Sequence, residues 1–142
     1  KDRMKQYIFR SPYKSFAWGG AVTAAVQSSS ITTSLIIPLV ATNKVSLDKS
    51  FPFIIGANIG TTITALVASF FATEVAISIA IVHLLFNLFG VLIFLPFSKV
   101  RQVPIAIAAY FGRITLRNRF YGFLYIIFMF FLIPFLLIYF SQ

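Results

Sequence analysis

Four long runs without a charged residue constrain this chain more than any other feature of its sequence. They are Ser15–Asn43, Ser50–Thr73, Val75–Ser98 and Phe120–Gln142. Each reaches the ~20 residues that a helix needs to cross the ~30 Å hydrocarbon core of a bilayer. Only 11% of the residues are charged, against about 25% in soluble domains. The sequence therefore predicts an all-α integral membrane protein.

Basic residues gather before the first run and between the third and fourth runs. They are Lys1, Arg3, Lys5, Arg10 and Lys14, then Lys99, Arg101, Arg113, Arg117 and Arg119. The positive-inside rule places both clusters in the cytoplasm, whereas three full crossings between them would put them on opposite sides. One of the first two runs is therefore predicted to enter and leave on the same side. Since these charges flank apolar runs, we expect no nucleic-acid partner despite the net charge of +9.

The first run is the better candidate for this re-entrant segment. It has Gly19-Gly20 near its start, a polar tetrad at Gln27–Ser30 and Pro38 near its end. Residues 15–43 are therefore predicted to form a helical hairpin with the tetrad at its tip. A basic cytoplasmic flank, residues 1–14, would precede it.

The tetrad Gln27-Ser28-Ser29-Ser30 places four hydrogen-bonding side chains in an apolar run. An unsatisfied polar group in an apolar medium costs roughly 2–7 kcal/mol, so such groups occur where they are buried in protein or line a wet cavity. The alternative is that the small polar residues only pack helices together. A Gln beside three serines is hard to satisfy by packing, and we favour a binding site. The helix break would offer free N–H groups to an anion and carbonyl groups to a small cation.

Within the second run, residues 51–73 are predicted to form a discontinuous transmembrane helix. Gly56 and Gly60 flank Asn58 and permit positive φ angles, and Thr61 and Thr62 are well placed to cap the half-helix that follows. The alternative is a glycine packing notch of the small-xxx-small type. Because Asn58 and the two threonines are polar, we favour the interpretation that this segment contributes a second part of the binding site.

The remaining sequence predicts three further segments. Residues 75–98 form a transmembrane helix, residues 99–119 a basic cytoplasmic amphipathic segment, and residues 120–142 the last transmembrane helix, which makes about three spanning helices. Asp48 is interpreted as part of a solvated turn. Because the chain begins at Lys1, we expect a fragment or a processed piece.

The residue inventory argues against catalysis. There is no cysteine, which excludes disulfides and thiolate chemistry, and the sequence offers no carboxylate pair, Ser-His-Asp set or metal-ligand cluster. We therefore expect neither an enzyme nor a cofactor. His83 and Asn87 share one helix face, and a neutral His bonded to a neighbouring helix is favoured over a proton relay.

Three motifs resemble the type II sodium–phosphate cotransporter family. Gln27-Ser28-Ser29-Ser30 resembles its QSSS signature, Gly56 to Thr62 its G-[AS]-N-I-G-T-[ST] block, and His83 to Asn87 its H-x-F-F-N segment. The match runs from about Trp18 to the C-terminus, and the first two motifs at this spacing are quite specific. That family carries two inverted repeats, each with a QSSS hairpin, around one substrate site. This chain resembles the second repeat and would be one half of an inverted-repeat transporter.

The resemblance implies sodium-coupled transport of inorganic phosphate by alternating access. Phosphate would bind Ser28, Ser29 and Ser30. Sodium, the only metal expected and a coupling ion, would bind Gln27, Asn58, Thr61 and Thr62. The alternative for Gln27 is that it only ties the hairpin to a neighbouring helix. The implied partners are phosphate, sodium, membrane lipid, and either the other repeat or a second copy of this chain. The implied location is the plasma (cell inner) membrane, with the basic loops cytoplasmic.

Two other functions use the same features. The first is a sodium-independent anion channel or facilitator built on the broken helices, which would show flux without a sodium gradient. The second is a non-transporting membrane scaffold fragment, which would tolerate mutation throughout Gln27–Ser30.

Overall fold

The computed structural model describes residues 7–141, and every regular element within them is a helix. In chain order these are α1 (Pro12–Val26), α2 (Ser29–Ser34), α3 (Ile37–Ala41), α4 (Leu47–Ser69), α5 (Glu74–Phe94), α6 (Ser98–Arg117), α7 (Arg119–Ile127) and α8 (Ile133–Phe140). A π-helical turn, Phe128–Leu132, joins α7 to α8. The predicted all-α class is confirmed. Of the predicted basic flank, Lys1, Arg3 and Lys5 lie outside the described residues.

The chain divides into two units between Gln102 and Val103. The first unit contains α1 to α5 and the start of α6, and the second contains the rest of α6 with α7 and α8.

Within residues 7–141, three helices are long and apolar enough to cross a membrane. They are Leu47–Ser69, Glu74–Phe94 and Arg119–Phe140, with 23, 21 and 22 residues. At 1.5 Å per residue they measure about 32–35 Å, which matches the hydrocarbon core. A shorter apolar helical stretch, Ser29–Ala41, follows the polar tetrad. The same-side path of residues 15–43 through the membrane stays a prediction.

The tetrad coincides with a break between two helices. Helix α1 ends at Gln27, whose φ of 57° is left-handed and whose N–H donates to the Thr23 carbonyl. Ser28 is extended, and its hydroxyl accepts a hydrogen bond of 3.3 Å from the amide of Ile31. This is the usual role of serine at a helix N-cap. The polar residues thus stop one helix and start the next.

The predicted break in the second run was wrong. Helix α4 continues from Leu47 to Ser69, and neither Gly56 nor Gly60 has a positive φ. The hydroxyl of Thr61 donates to the Ala57 carbonyl at 3.2 Å, and that of Thr62 to the Ile59 carbonyl at 2.9 Å. Because both hydroxyls bond to the helix's own carbonyls, they cap no half-helix.

The glycines of α4 serve close packing against α1. A Cβ added at Gly56 would overlap the carbonyl of Phe16, and one at Gly60 would lie 2.9 Å from the Cβ of Thr23. Gly19, on the facing side of α1, is equally tight against the carbonyl of Phe53. Small residues let two helix backbones approach in this way. Gly56 and Gly60 therefore act as a packing notch for α1, which is the alternative interpretation of these two glycines.

A small apolar core holds the segment after the break against α4. Phe9, Ile36, Val45 and Phe53 are buried together, and the rings of Phe9 and Phe53 lie 5.9 Å apart. Ile36 separates α2 from α3, and Val45 lies in the loop before α4. Van der Waals packing among these side chains holds α2 and α3 beside α4.

Asp48 joins two segments of the first unit instead of lying in a solvated turn. Its Oδ1 accepts a hydrogen bond of 3.1 Å from Gln102 and lies 3.5 Å from Nε of Arg101. Arg101 is buried, and its Nη1 donates to the carbonyl of Leu95 at 3.1 Å. The start of α6 is thereby tied to the first turn of α4 and to the end of α5.

We expect Asp48→Asn to lower the free energy of unfolding by about 1 kcal/mol, because it removes the charge that faces a buried guanidinium. The matched control is Glu74→Gln, which removes an acid from the first turn of α5. Both acids stabilise the N-terminus of their helix through the helix dipole. The difference in stability between the two variants therefore measures the contact between Asp48 and Arg101. Thermal unfolding of the full-length protein in detergent measures it, and equal shifts would contradict the role of Asp48.

Candidate functional site

A pocket with a volume of about 670 Å³ lies between the α2–α3 segment and α4. It is lined by Ser29, Ser30, Thr33, Ile36, Ile37, Val40, Ala41, Leu47, Ser50, Ile54 and Asn58. Its walls are mainly apolar, with five polar side chains among them. None of these lining residues is charged, so the pocket offers hydrogen-bonding groups without a fixed charge.

Ser29 and Ser30 reach the pocket because they open α2. The first N–H groups of a helix have no intrahelical acceptor, so the amides and hydroxyls of these two residues are available together. Ser28 holds this turn in place, since its carbonyl accepts from the hydroxyl of Thr32 at 3.0 Å and its hydroxyl caps the helix. Ser29 and Ser30 thus bring two hydroxyl-bearing residues to the α2 side of the pocket.

Asn58 reaches the same pocket from α4. Its side chain is exposed, and its neighbours Ala57 and Gly60 are buried. An amide side chain carries both an oxygen acceptor and an NH₂ donor. Asn58 is therefore suited to contact either a cation or an oxyanion that enters the pocket.

The other four predicted site residues do not line this pocket. Gln27 is exposed in the left-handed link, and Ser28 serves as the N-cap of α2. Thr62 is fully buried, and Thr61 is half-buried one turn beyond Asn58 on α4. The structure thus brings Ser29, Ser30 and Asn58 together and leaves Gln27, Ser28, Thr61 and Thr62 apart from them.

Sequence reasoning missed Thr33 and Ser50 as lining residues. Thr33 follows Ser29 by four residues, so both lie on one helix face, and its hydroxyl donates to the Ser29 carbonyl at 2.8 Å. Ser50 precedes Asn58 by eight residues on α4, again the spacing of one face. Helical spacing from the predicted residues was the signal that would have found both.

The side chain of His83 is exposed on α5. It lies with Ile79, Val82 and Phe86 around an open apolar groove. His83 does not line the pocket between the α2–α3 segment and α4.

These features define an integral membrane protein with an uncharged, mainly apolar pocket that five polar side chains line at a helix break. The sequence profile of the family described as Na+/Pi-cotransporter matches residues 2–117. The chain belongs to this family, and the predicted relationship is confirmed.

Curated relatives agree with the family match. The chain is 38% identical to sodium-dependent phosphate transport protein 2C of Homo sapiens over 82% of its length. It is 37% identical to protein 2A of Oryctolagus cuniculus over 94%, and 35% identical to protein 2B of Homo sapiens over 90%. The matches cover 20%, 21% and 19% of these relatives, so the chain spans about a fifth of their length. The relatives are named as transport proteins and not as enzymes. No solved structure matches the chain significantly.

Proposed function

We propose that this chain supplies one repeat of a transporter that couples inorganic phosphate to sodium and works by alternating access. The observation that carries the proposal is the pocket in which Ser29 and Ser30, at a helix break, face Asn58 on α4. Broken-helix ends and helix-borne polar groups are a recurring architecture of ion-coupled transporters. Family membership and the names of the relatives support the choice of phosphate and sodium.

For phosphate, the proposed ligands are Ser28, Ser29 and Ser30. Ser28 caps α2 and lies outside the pocket in this structure, so we infer that it joins the other two in another conformation of the transport cycle. Hydroxyl and amide donors form strong, short hydrogen bonds to anionic oxygens, and each contributes about 1.5–3 kcal/mol. Because no lining residue is charged, we infer that bound sodium and the other repeat neutralise the phosphate.

For sodium, the proposed ligands are Gln27, Asn58, Thr61 and Thr62. The hydroxyls of Thr61 and Thr62 donate their protons to helix carbonyls, which leaves oxygen lone pairs free to accept a cation. Both threonines lie outside the pocket, so we infer that they join the sodium site in another conformation of the transport cycle. Alternating access requires more than one such conformation.

Two of the long helices expose large apolar surfaces. In the most apolar 18-residue stretch of α5 only 6% is buried, and in that of Arg119–Phe140 the buried share is 0%. We infer that lipid and the other repeat, or a second copy of this chain, cover these faces. The proposed location is the plasma (cell inner) membrane with the basic loops cytoplasmic.

Uptake of radiolabelled phosphate into proteoliposomes tests the function. The full-length protein that contains this chain, and the chain alone, are each measured with an inward sodium gradient and with potassium in its place. We expect sodium-dependent uptake by the full-length protein. Uptake by the chain alone as well would mean that two copies assemble the site, and equal uptake with potassium would overturn the coupling to sodium.

A further inference from the structure

The second unit contains a bend between α6 and α7 with an apolar groove on each side. Helix α6 ends at Arg117, and the side chain of Asn118 caps α7 by accepting a hydrogen bond of 2.9 Å from the amide of Phe120. We propose that this bend, residues 104–128, binds an anionic phospholipid through its phosphate and an acyl chain.

The first groove has a volume of about 1050 Å³. Its walls are almost entirely apolar, with Ile107, Leu116 and Phe123 among them, and Arg119 is its one charged lining residue. Pockets that bury a small-molecule ligand have volumes of about 300–1,000 Å³. The groove is therefore large enough for part of a hydrocarbon chain, which would pack against its apolar walls.

The second groove has a volume of about 660 Å³ and repeats this composition. Arg117 is its one charged residue, and Tyr121 adds a hydroxyl beside Ile114 and Leu124. Phe111 and Tyr125 line both grooves, and their rings lie 4.6 Å apart. This aromatic pair is a shared wall, so each groove joins an apolar trough to one arginine.

Charge complementarity selects an anionic occupant. Residues 103–142 contain Arg113, Arg117 and Arg119 but no Asp or Glu. Arg113 precedes Arg117 by one turn and lies on the same face of α6. No acidic side chain within this unit neutralises the three arginines, so the anion comes from outside it.

The apolar walls favour a lipid over a free anion. Inorganic phosphate would gain nothing from grooves lined by aliphatic and aromatic side chains, whereas a phospholipid satisfies the arginines and the walls at once. Tyrosines and arginines are also typical of the level of the membrane at which phospholipid head groups lie.

Two glycines of the bend provide a sharp test. Gly122 lets α7 approach α6, because an added Cβ would lie 2.7 Å from Cγ2 of Thr115. Gly112, by contrast, lines the first groove, and an added Cβ there would meet nothing within 4 Å. Gly112→Phe is therefore expected to place a ring at the groove without a clash at its Cβ. Gly90, in α5, also has open space around it and provides the matched control.

Native mass spectrometry of the full-length protein in detergent counts bound lipids during titration with phosphatidylglycerol or phosphatidylcholine of the same chain length. We expect tighter binding of phosphatidylglycerol. Arg117→Gln and Arg119→Gln should each weaken it about fivefold, because each basic residue near anionic lipid contributes on that scale. Gly112→Phe should weaken it at least as much, and Gly90→Phe should leave it unchanged.

Several results would overturn the proposal. Equal affinity for the two lipids would show that the arginines do not recognise an anionic head group. Displacement of the lipid by equimolar inorganic phosphate would show that the grooves do not contribute to binding. Wild-type protein without bound phosphatidylglycerol would mean that the rest of the transporter covers the bend. Arg117 and Arg119 are exposed, so their variants decide the question if Gly112→Phe does not fold.

Discussion

Replacing Gly56 with alanine is expected to prevent the packing of α1 on α4. The added Cβ would overlap the backbone carbonyl of Phe16, and no rotamer change relieves a contact between a Cβ and a main chain. Overpacking of a core costs typically 1–3 kcal/mol when side chains can adjust. Because backbone must move here, we expect a loss of about 3 kcal/mol or more in the free energy of unfolding.

Gly90→Ala provides the control for Gly56→Ala. Gly90 lies within α5 and has open space where the Cβ would be, so alanine there is expected to stabilise the helix by up to about 1 kcal/mol. The monodisperse fraction in gel filtration and the midpoint of thermal unfolding in detergent measure both variants. Similar behaviour of the two proteins would show that the contact between α1 and α4 does not limit stability.

Ser29→Ala is expected to reduce sodium-dependent phosphate uptake about 10–100-fold without loss of membrane expression. The variant removes one hydroxyl from the wall of the pocket, and a hydrogen bond to a charged group contributes about 1.5–3 kcal/mol. The cap at Ser28 and the amide of residue 29 are unaffected. The loss should therefore appear in transport and not in folding.

Ser34→Ala is the matched control for Ser29→Ala. Ser34 belongs to the same short helix, is exposed, and donates its hydroxyl proton to the Ile31 carbonyl. It does not line the pocket, so its uptake should equal that of the wild type. Normal uptake in Ser29→Ala, or an equal loss in both variants, would remove Ser29 from the phosphate site.

Thr61→Val tests the proposed sodium site separately from phosphate binding. Valine keeps the shape of the side chain but lacks the oxygen, and we expect uptake to be abolished at ordinary sodium concentrations. Raising the sodium concentration should partly restore it if the threonine acts on sodium alone. An unchanged sodium dependence would exclude Thr61 from the site.

The sequence alone determined the class of the protein, the three apolar helices, the break at Gln27–Ser30 and the family. Length, charge and hydropathy can be read from short stretches of sequence. Because the thickness of the bilayer sets how many apolar residues a spanning helix needs, these properties suffice to predict the helices. Two motifs at a defined spacing then sufficed for the family, although they could not show which of their residues share a pocket.

Only the tertiary structure decided how α4 uses its glycines. A glycine permits either a positive φ or a close approach of another backbone, and the sequence around Gly56 and Gly60 allows both. The partner helix α1 selects the second use, because its small residues face the same positions. The meeting of Ser29, Ser30 and Asn58, and that of Asp48 with Arg101, depend in the same way on contacts between distant segments. Local patterns specify where helices begin and end, whereas the packing of helices determines which side chains meet.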